Sequence, residues 1–184
     1  QADVIICQSK YMQQDLEENF DIPNKKMVQI YNPVDIVTIQ KHAGLGGNPY
    51  LRSNSSPNIV AIGRLTYQKG FDRLIDSIPQ LLEVAPKAKL WILGQGPLEN
   101  QLKQRRDQLS IQDHVEFVGF QHNPYRWVKH ADLFVLSSYF EGLPNVLLEA
   151  IACKCPVVAI KHPGGTKEIM ELLNLSDRFL TQLK

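Results

Sequence analysis

The 184-residue sequence predicts an α/β fold, a doubly wound parallel sheet with helices on both faces. Two observations carry this. From Asn58 onward, short apolar runs alternate with stretches of helical period, the order expected of successive βαβ units. Runs such as Leu133–Leu136 (LFVL) and Val157–Ile160 (VVAI) are apolar without alternation, as in strands buried on both sides.

The elements follow in order. Val4 to Cys7 reads as a buried strand, and Ser9 can cap a polar helix running to about Asn19. Met27 to Tyr31 is a second apolar run, ended by Asn32-Pro33. Lys41 to Pro57, rich in Gly, Asn, Ser and Pro, reads as a loop or hinge. Asn58 to Ile62 is a strand. Phe71 to Val84 is a helix, with Phe71, Leu74, Ile75, Ile78, Leu81 and Leu82 on one face. Ala88 to Leu93 is a strand, and Pro97 opens a helix to about Leu109. His114 to Val118 is a strand, after which Asn123 caps a helix with Pro124 in its first position. Leu133–Leu136 is a strand, Leu143 to Cys153 a helix, Pro156 to Ile160 a strand, and a last helix starts near Gly165.

Bulk properties exclude several classes. Twenty basic against nineteen acidic residues give a formal charge of +1, which offers no support for a nucleic-acid or polybasic membrane surface. Hydrophobic residues at 43% and charged residues at 21% suit an ordinary globular domain, with length for one core and a fragment of a second. No apolar run approaches the length of a membrane span, and the start carries no signal-peptide pattern. The chain reads as a piece of something longer, so a targeting signal could lie elsewhere. Three cysteines make no disulfide framework and suggest a reducing compartment. Cys153 and Cys155 with His162 have the wrong spacing for structural zinc and no evident fourth ligand, so packing is the better account of the thiols.

Doubly wound sheets bind ligands beyond the carboxyl ends of their strands, so chemistry is sought in the strand-to-helix loops. The first reads Gly63-Arg64-Leu65-Thr66-Tyr67-Gln68-Lys69-Gly70. Arg64 offers a fork of donors and Lys69 a mobile point charge ahead of a helix N-terminus, a combination that fits a diphosphate. On charge alone, two solvated cations are the simpler reading; the position after a strand brings the anion-binding reading level with it. The second loop, Gly94-Gln95-Gly96-Pro97, lacks the third glycine of a dinucleotide fingerprint and by itself suits a tight turn.

The third loop carries Glu141 and, eight positions on, Glu149 inside the helix, about 9 Å along its axis from Leu143. The two carboxylates could address two parts of one extended ligand. Between them, Pro144 has no N–H, so an anion cradle would come from the amides of Gly142, Leu143, Asn145 and Val146. The bland alternative makes Glu141 a helix cap and Glu149 a solvated surface charge.

These segments together resemble the C-terminal, Rossmann-like domain of GT-B glycosyltransferases, specifically the retaining family 4, or glycosyl transferases group 1. The resemblance runs through EGLPNVLLEAIACKCPVVA, the family's E-x7-E motif, with GRLTYQKGFDRLI, LWILGQGPLENQL, VEFVGF and ADLFVLSS. PGGTKEIM is similar to the family's glycine-rich loop before a Glu-containing turn, so the match covers about Asn58 to Met170. ADVIICQSKYMQQDL and VQIYNPVD resemble the end of the family's N-terminal domain and the crossing out of it. Residues 1–32 are then a remnant of that domain with its linker, and 33–184 the nucleotide-sugar-binding domain without its terminal crossover helix. Pro33 stands where many relatives carry glycine, a change of linker turn expected to leave donor binding untouched.

The resemblance implies roles. Arg64 and Lys69 hold the donor diphosphate and stabilise the leaving group, and Glu149 takes the ribose hydroxyls. Glu141 contacts the donor sugar at its reacting face, and the amides that follow it hold phosphate. The base sits near Gly94 and the backbone about Gln121. No metal or other cofactor is implied. The expected activity is retaining hexosyl transfer from UDP-glucose to a glycan or lipid-linked acceptor held by the N-terminal domain. The expected location is the cytoplasm, with peripheral membrane association through the part outside this chain. A non-catalytic sugar-nucleotide module and a GDP-sugar transferase are the alternatives; an epimerase lacks its own motifs, and a dehydrogenase its glycine fingerprint.

Overall fold

The computed structural model describes residues 2–51, 53, 56–175 and 180–181. Its main body is a six-stranded sheet whose neighbouring strands all pair in parallel. The strands are β3 (Asn58–Ile62), β4 (Lys89–Leu93), β5 (Val115–Gly119), β6 (Leu133–Leu136), β7 (Val157–Ile160) and β8 (Leu180–Thr181). Their spatial order is β5-β4-β3-β6-β7-β8. The chain therefore winds outward from β3 to β5, returns, and winds the other way from β6.

Both faces of the sheet are buried, as the unalternating apolar runs predict. Ile59, Ala61, Leu90 and Ile92 pack on one side with Phe71, Leu74, Ile75 and Ile78 of α3 (Phe71–Val84) and Leu102 of α4 (Glu99–Gln108). Val60, Leu93, Phe134, Leu136, Val157 and Ala159 pack on the other. There they meet α5 (Tyr125–His130), α6 (Asn145–Ala152) and α7 (Thr166–Leu172), through Val128, Leu147, Ala150 and Ile169.

A smaller body precedes the sheet. β1 (Ile5–Cys7) and β2 (Met27–Gln29) pair in parallel as a separate two-stranded sheet, joined by α1 (Lys10–Phe20). Ser9 caps α1 as expected, its Oγ accepting from the Met12 amide at 3.0 Å.

Five expectations need correction. Residues 36–43 form a helix, α2 (Ile36–Ala43), so the loop expected from Lys41 begins later. Asp35 caps α2, its Oδ1 accepting from Thr38 N at 3.0 Å, and the helix buries only Ile39 and Ala43, too few for a periodic signal. The following segment is also less polar in effect than its composition suggests. Tyr50 is buried against Trp91 and Trp127, and its hydroxyl donates to the Trp127 carbonyl at 2.8 Å. Pro97 lies in a turn, and α4 begins at Glu99. Asn123 does not cap α5; its Nδ2 donates to the His42 carbonyl at 2.8 Å, and Pro124 occupies the cap position. Finally, α6 begins at Asn145 rather than Leu143, which leaves Glu149 about 6 Å along its axis.

Candidate active site

The strand order reverses between β3 and β6, and in a doubly wound sheet the crevice outside the carboxyl ends at such a reversal is the ligand site. The loops that leave those two strands are the Gly63–Gly70 and Ser137–Pro144 segments. Hydrogen bonds sew them together. Ser137 Oγ donates to the Lys69 carbonyl at 2.8 Å, and the Tyr139 amide donates to the Gln68 carbonyl at 2.8 Å. Arg73, in the first turn of α3, donates to the carbonyls of Ser137 and Ser138 and stacks 4.1 Å over the Tyr139 ring.

At the centre Lys69 Nζ stands 2.6 Å from Glu141 Oε1. The same oxygen accepts from Ser138 Oγ at 2.6 Å, while Glu141 Oε2 has a longer 3.5 Å approach from Gln68 Nε2. The Glu141 side chain is 8% exposed, so the charge is largely out of water and held by these donors. Lys69 reaches it by laying its aliphatic stem across Gly63, where a Cβ would crowd the stem at 3.2 Å. Arg64, five residues earlier, is exposed, and among the described residues its guanidinium has no protein partner. The two cations of this loop therefore differ: one is neutralised in advance and one is free.

Glu141 is also fixed from behind. Its amide donates to the Pro163 carbonyl at 3.3 Å, and the Gly165 amide donates to the Gly142 carbonyl at 2.6 Å. Gly164 has φ +124° and lies so close to Glu141 that an added Cβ would overlap the Glu141 carbonyl oxygen. Among the described residues, the amides of Gly142, Leu143, Asn145 and Val146 donate to no protein acceptor. Four orphan donors at the start of α6, next to the Lys69–Glu141 pair, favour an anion.

Beyond the β3 loop lies a cavity of about 430 Å³ lined by Gly63, Arg64, Gly94, Phe120, Gln121 and Pro124. Gly94, at φ +134°, lets the second loop touch the Gly63 carbonyl, which a Cβ there would overlap. The Gln121 side chain is committed to the protein: Nε2 donates to the Phe120 carbonyl at 3.1 Å and Oε1 accepts from Trp127 Nε1 at 3.3 Å. The next residue after Pro124, Tyr125, lines a second cavity of about 220 Å³ together with Asn145 and Glu149. Glu149 is half-buried with no hydrogen-bond or ion-pair partner among the described residues, and burial raises its pKa above the usual carboxylate range. Pro33, in the linker, lines this same cavity.

The structure thus brings Lys69, Glu141 and Gly142 together, with Arg64, Gly94 and Gln121 around one adjoining cavity and Asn145 and Glu149 on another. Sequence reasoning passed over Arg73, Ser138 and Gly164. Arg73 sits three residues beyond Gly70, at the head of the recognised helix, and Gly164 belongs to the glycine-rich loop; both signals were present. No described group of three His, Cys, Asp or Glu side chains is arranged to hold a metal. Cys153 and Cys155 are buried, their thiols pushed up to about 11 and about 12 by desolvation. His162 is buried, and desolvation lowers its pKa. The Pro163 carbonyl can only accept, so the ring proton sits on Nδ1 at 2.8 Å, and Nε2 accepts from the Thr166 hydroxyl at 2.7 Å.

Comparison with known proteins extends these observations. The family model for glycosyl transferases group 1 matches residues 49–180. An uncharacterized glycosyltransferase of Methanocaldococcus jannaschii is 36% identical over 180 residues, covering 96% of this chain and 44% of the relative. A Campylobacter jejuni protein is 34% identical over 170 residues, 91% of this chain and 44% of its own length. It is named N-acetylgalactosamine-N,N'-diacetylbacillosaminyl-diphospho-undecaprenol 4-alpha-N-acetylgalactosaminyltransferase. The chain thus spans less than half the length of these relatives. A glycosyltransferase from Rickettsia africae superposes with a TM-score of 0.80 at 20% identity, over 100% of this chain and 49% of that one. HepE of Anabaena, solved in complex with UDP, superposes with a TM-score of 0.75 at 25% identity, over 98% of this chain and 50% of that one.

Proposed function

The chain belongs to glycosyl transferases group 1, a family of GT-B fold, and from that premise we propose that it holds the nucleotide-sugar donor of a retaining, metal-independent hexosyl transfer. UDP-glucose is the proposed donor. The observation that carries this reading is the pairing of a free Arg64 and a pre-neutralised Lys69 with the unbonded amides at the start of α6. The UDP bound by HepE supports uridine as the base.

In the proposed reaction the bond between the anomeric carbon and the phosphate oxygen breaks, and the electron pair leaves with the nucleoside diphosphate. Negative charge grows on the leaving phosphate while the sugar gains oxocarbenium character. Donors already aimed at that phosphate lower the barrier without reorganising. Lys69 donates one hydrogen bond to Glu141 and keeps two further N–H donors; Arg64 keeps all of its own. Glu141 Oε1 already accepts two hydrogen bonds, which suits the residue to holding a sugar hydroxyl through Oε2 rather than attacking carbon. Glu149, unpaired and half-buried, suits the ribose hydroxyls, whose donation would offset its lost hydration.

Residues 2–32 are proposed to be the end of an acceptor-binding domain, a reading supported by their separate two-stranded sheet. The acceptor is proposed to be a glycan or lipid-linked sugar, in keeping with the diphospho-undecaprenol named for the Campylobacter relative. No described helix is long and apolar enough to cross a membrane, and association with the cytoplasmic face is proposed to run through the rest of the protein.

Calorimetric titration of this chain with UDP, GDP and ADP tests the donor. Tightest binding to UDP is expected; tighter binding to GDP overturns the uridine assignment. Robust transfer by the 184 residues alone would show that the acceptor site is misplaced. A longer protein that binds UDP-glucose but neither transfers nor hydrolyses it would make the site a binding module.

A further inference from the structure

Glu168, in the first turn of α7, does something the donor site does not account for. Its Oε2 accepts from the Lys10 amide at 3.0 Å and its Oε1 from the Tyr11 amide at 2.8 Å. These are the first two helical residues of α1, 158 and 157 positions away. Tyr31, just past β2, adds its hydroxyl to Oε2 at 3.2 Å. Helix α1 has no acidic residue in its own first turn, so Glu168 supplies the charge that its amides and dipole favour.

The same junction carries a second, independent contact. Ser9 is fully buried, with its Cβ 3.1 Å from the point where Gly165 would carry one. Its neighbour Gln8 is exposed, and its side-chain oxygen Oε1 lies 3.5 Å from the corresponding point on Gly142. Among the described residues that amide has no hydrogen-bond partner. The carboxyl end of β1 is thus turned toward the orphan amides that follow Glu141, with a primary amide standing free beside them.

We infer that Gln8 is a donor-binding residue supplied by the N-terminal segment, its exposed side-chain amide turning over about its soft terminal torsion so that Nε2 donates to the phosphate held by Gly142 and Leu143. Glu168 is the positioning residue that keeps it there by capping α1. This rests on the donor-site reading above. Glu168 touches no substrate in this scheme and acts only by fixing the segment that carries Gln8. The glycine-rich loop joins the two, since Gly164 and Gly165 contact Glu141, Gly142 and Ser9 from one short turn.

The test is a double-mutant cycle on the complete 184-residue chain, with UDP as the probe. Gln8→Ala should weaken UDP about tenfold, the cost of one hydrogen bond to a charged group. Glu168→Ala should weaken UDP by a similar factor and expose the Lys10 and Tyr11 amides to hydrogen exchange. Added to Gln8→Ala, it should cost almost nothing more, because the two act as a unit. Glu168→Gln, which keeps one strong acceptor, should fall between. Additive losses in the double variant, or Lys10 and Tyr11 amides still protected in Glu168→Ala, overturn the inference while leaving the donor site standing. An unmodified chain that does not bind UDP overturns the donor reading and this assignment with it.

Discussion

Lys69 and Glu141 form a 2.6 Å ion pair between the two loops that meet at the reversal of strand order, 72 residues apart in sequence. The pair places a cation and a carboxylate, each with a separate proposed ligand, in competition before any ligand arrives. Removing either partner should therefore have opposite effects on phosphate. Lys69→Met should weaken UDP roughly ten- to a hundredfold. It should also destabilise the domain by about 2–3 kcal/mol, because Glu141 is left largely buried without its cation. Glu141→Gln should leave UDP binding intact or modestly tighter, since it frees the ammonium, and should weaken only the intact UDP-sugar. Calorimetry with UDP and UDP-glucose separates these; equal losses of UDP affinity in both variants contradict the assigned roles.

Arg64 gives the contrasting case. Its exposed guanidinium has no protein partner among the described residues, so Arg64→Ala should not change the melting temperature. UDP affinity should still fall on the order of tenfold, and its salt dependence should flatten because a phosphate-directed charge is gone. A fall in stability comparable to that of Lys69→Met would contradict the picture of an unengaged cation.

Glu149 should trade stability against binding. Burial raises its pKa, so the folded state holds a proton more readily than the unfolded chain. Stability from this group then declines as pH rises from the ordinary carboxylate value of 4.5 through the raised one. Glu149→Gln should consequently melt higher than the parent at neutral pH while binding UDP about tenfold more weakly. In the parent, UDP affinity should fall as pH drops through the raised pKa, and the variant should lose that dependence. A thermal-shift series across pH with and without UDP reads both effects.

Backbone contact behind Glu141 sets a fourth expectation. Gly164→Ala would force a Cβ into the Glu141 carbonyl at φ +124°, and should cost about 2–4 kcal/mol. Gly47 also has positive φ, +68°, but nothing lies within 4 Å of an added Cβ. Gly47→Ala should cost only the backbone term, about 1 kcal/mol. Chemical denaturation of the two variants distinguishes contact from conformation.

The strands and the two central loops were legible because burial on both faces writes unbroken apolar runs, and Rossmann-type winding puts charges at strand ends. Arg64, Lys69 and Glu141 lie in loops that follow strands, and Glu149 lies in the helix after the second of those loops. Helix α2 was not legible, since a helix that buries only Ile39 and Ala43 leaves no periodic stripe. Asn123 misled because its amide is spent on the His42 carbonyl, a contact between residues 81 apart.

What the sequence could not convey at the site was partnership. Nothing local to Lys69 announces Glu141, and nothing local to α1 announces Glu168. The neighbours of Pro33 in sequence read as a linker turn, and that linker lines the cavity of Glu149. The proline removes a backbone N–H from this wall, a local loss that the chain order alone gives no reason to connect with a carboxylate on α6.

Arg73 and the hydrogen bonds from Ser137 and Tyr139 join the two central loops into a single hydrogen-bonded unit without any bound molecule. Conformational entropy that a ligand would otherwise remove from these loops has already been spent in folding. A molecule entering the crevice meets a preorganised surface and forfeits mainly its own freedom. Heat-capacity and entropy changes on binding should accordingly resemble docking to a rigid wall.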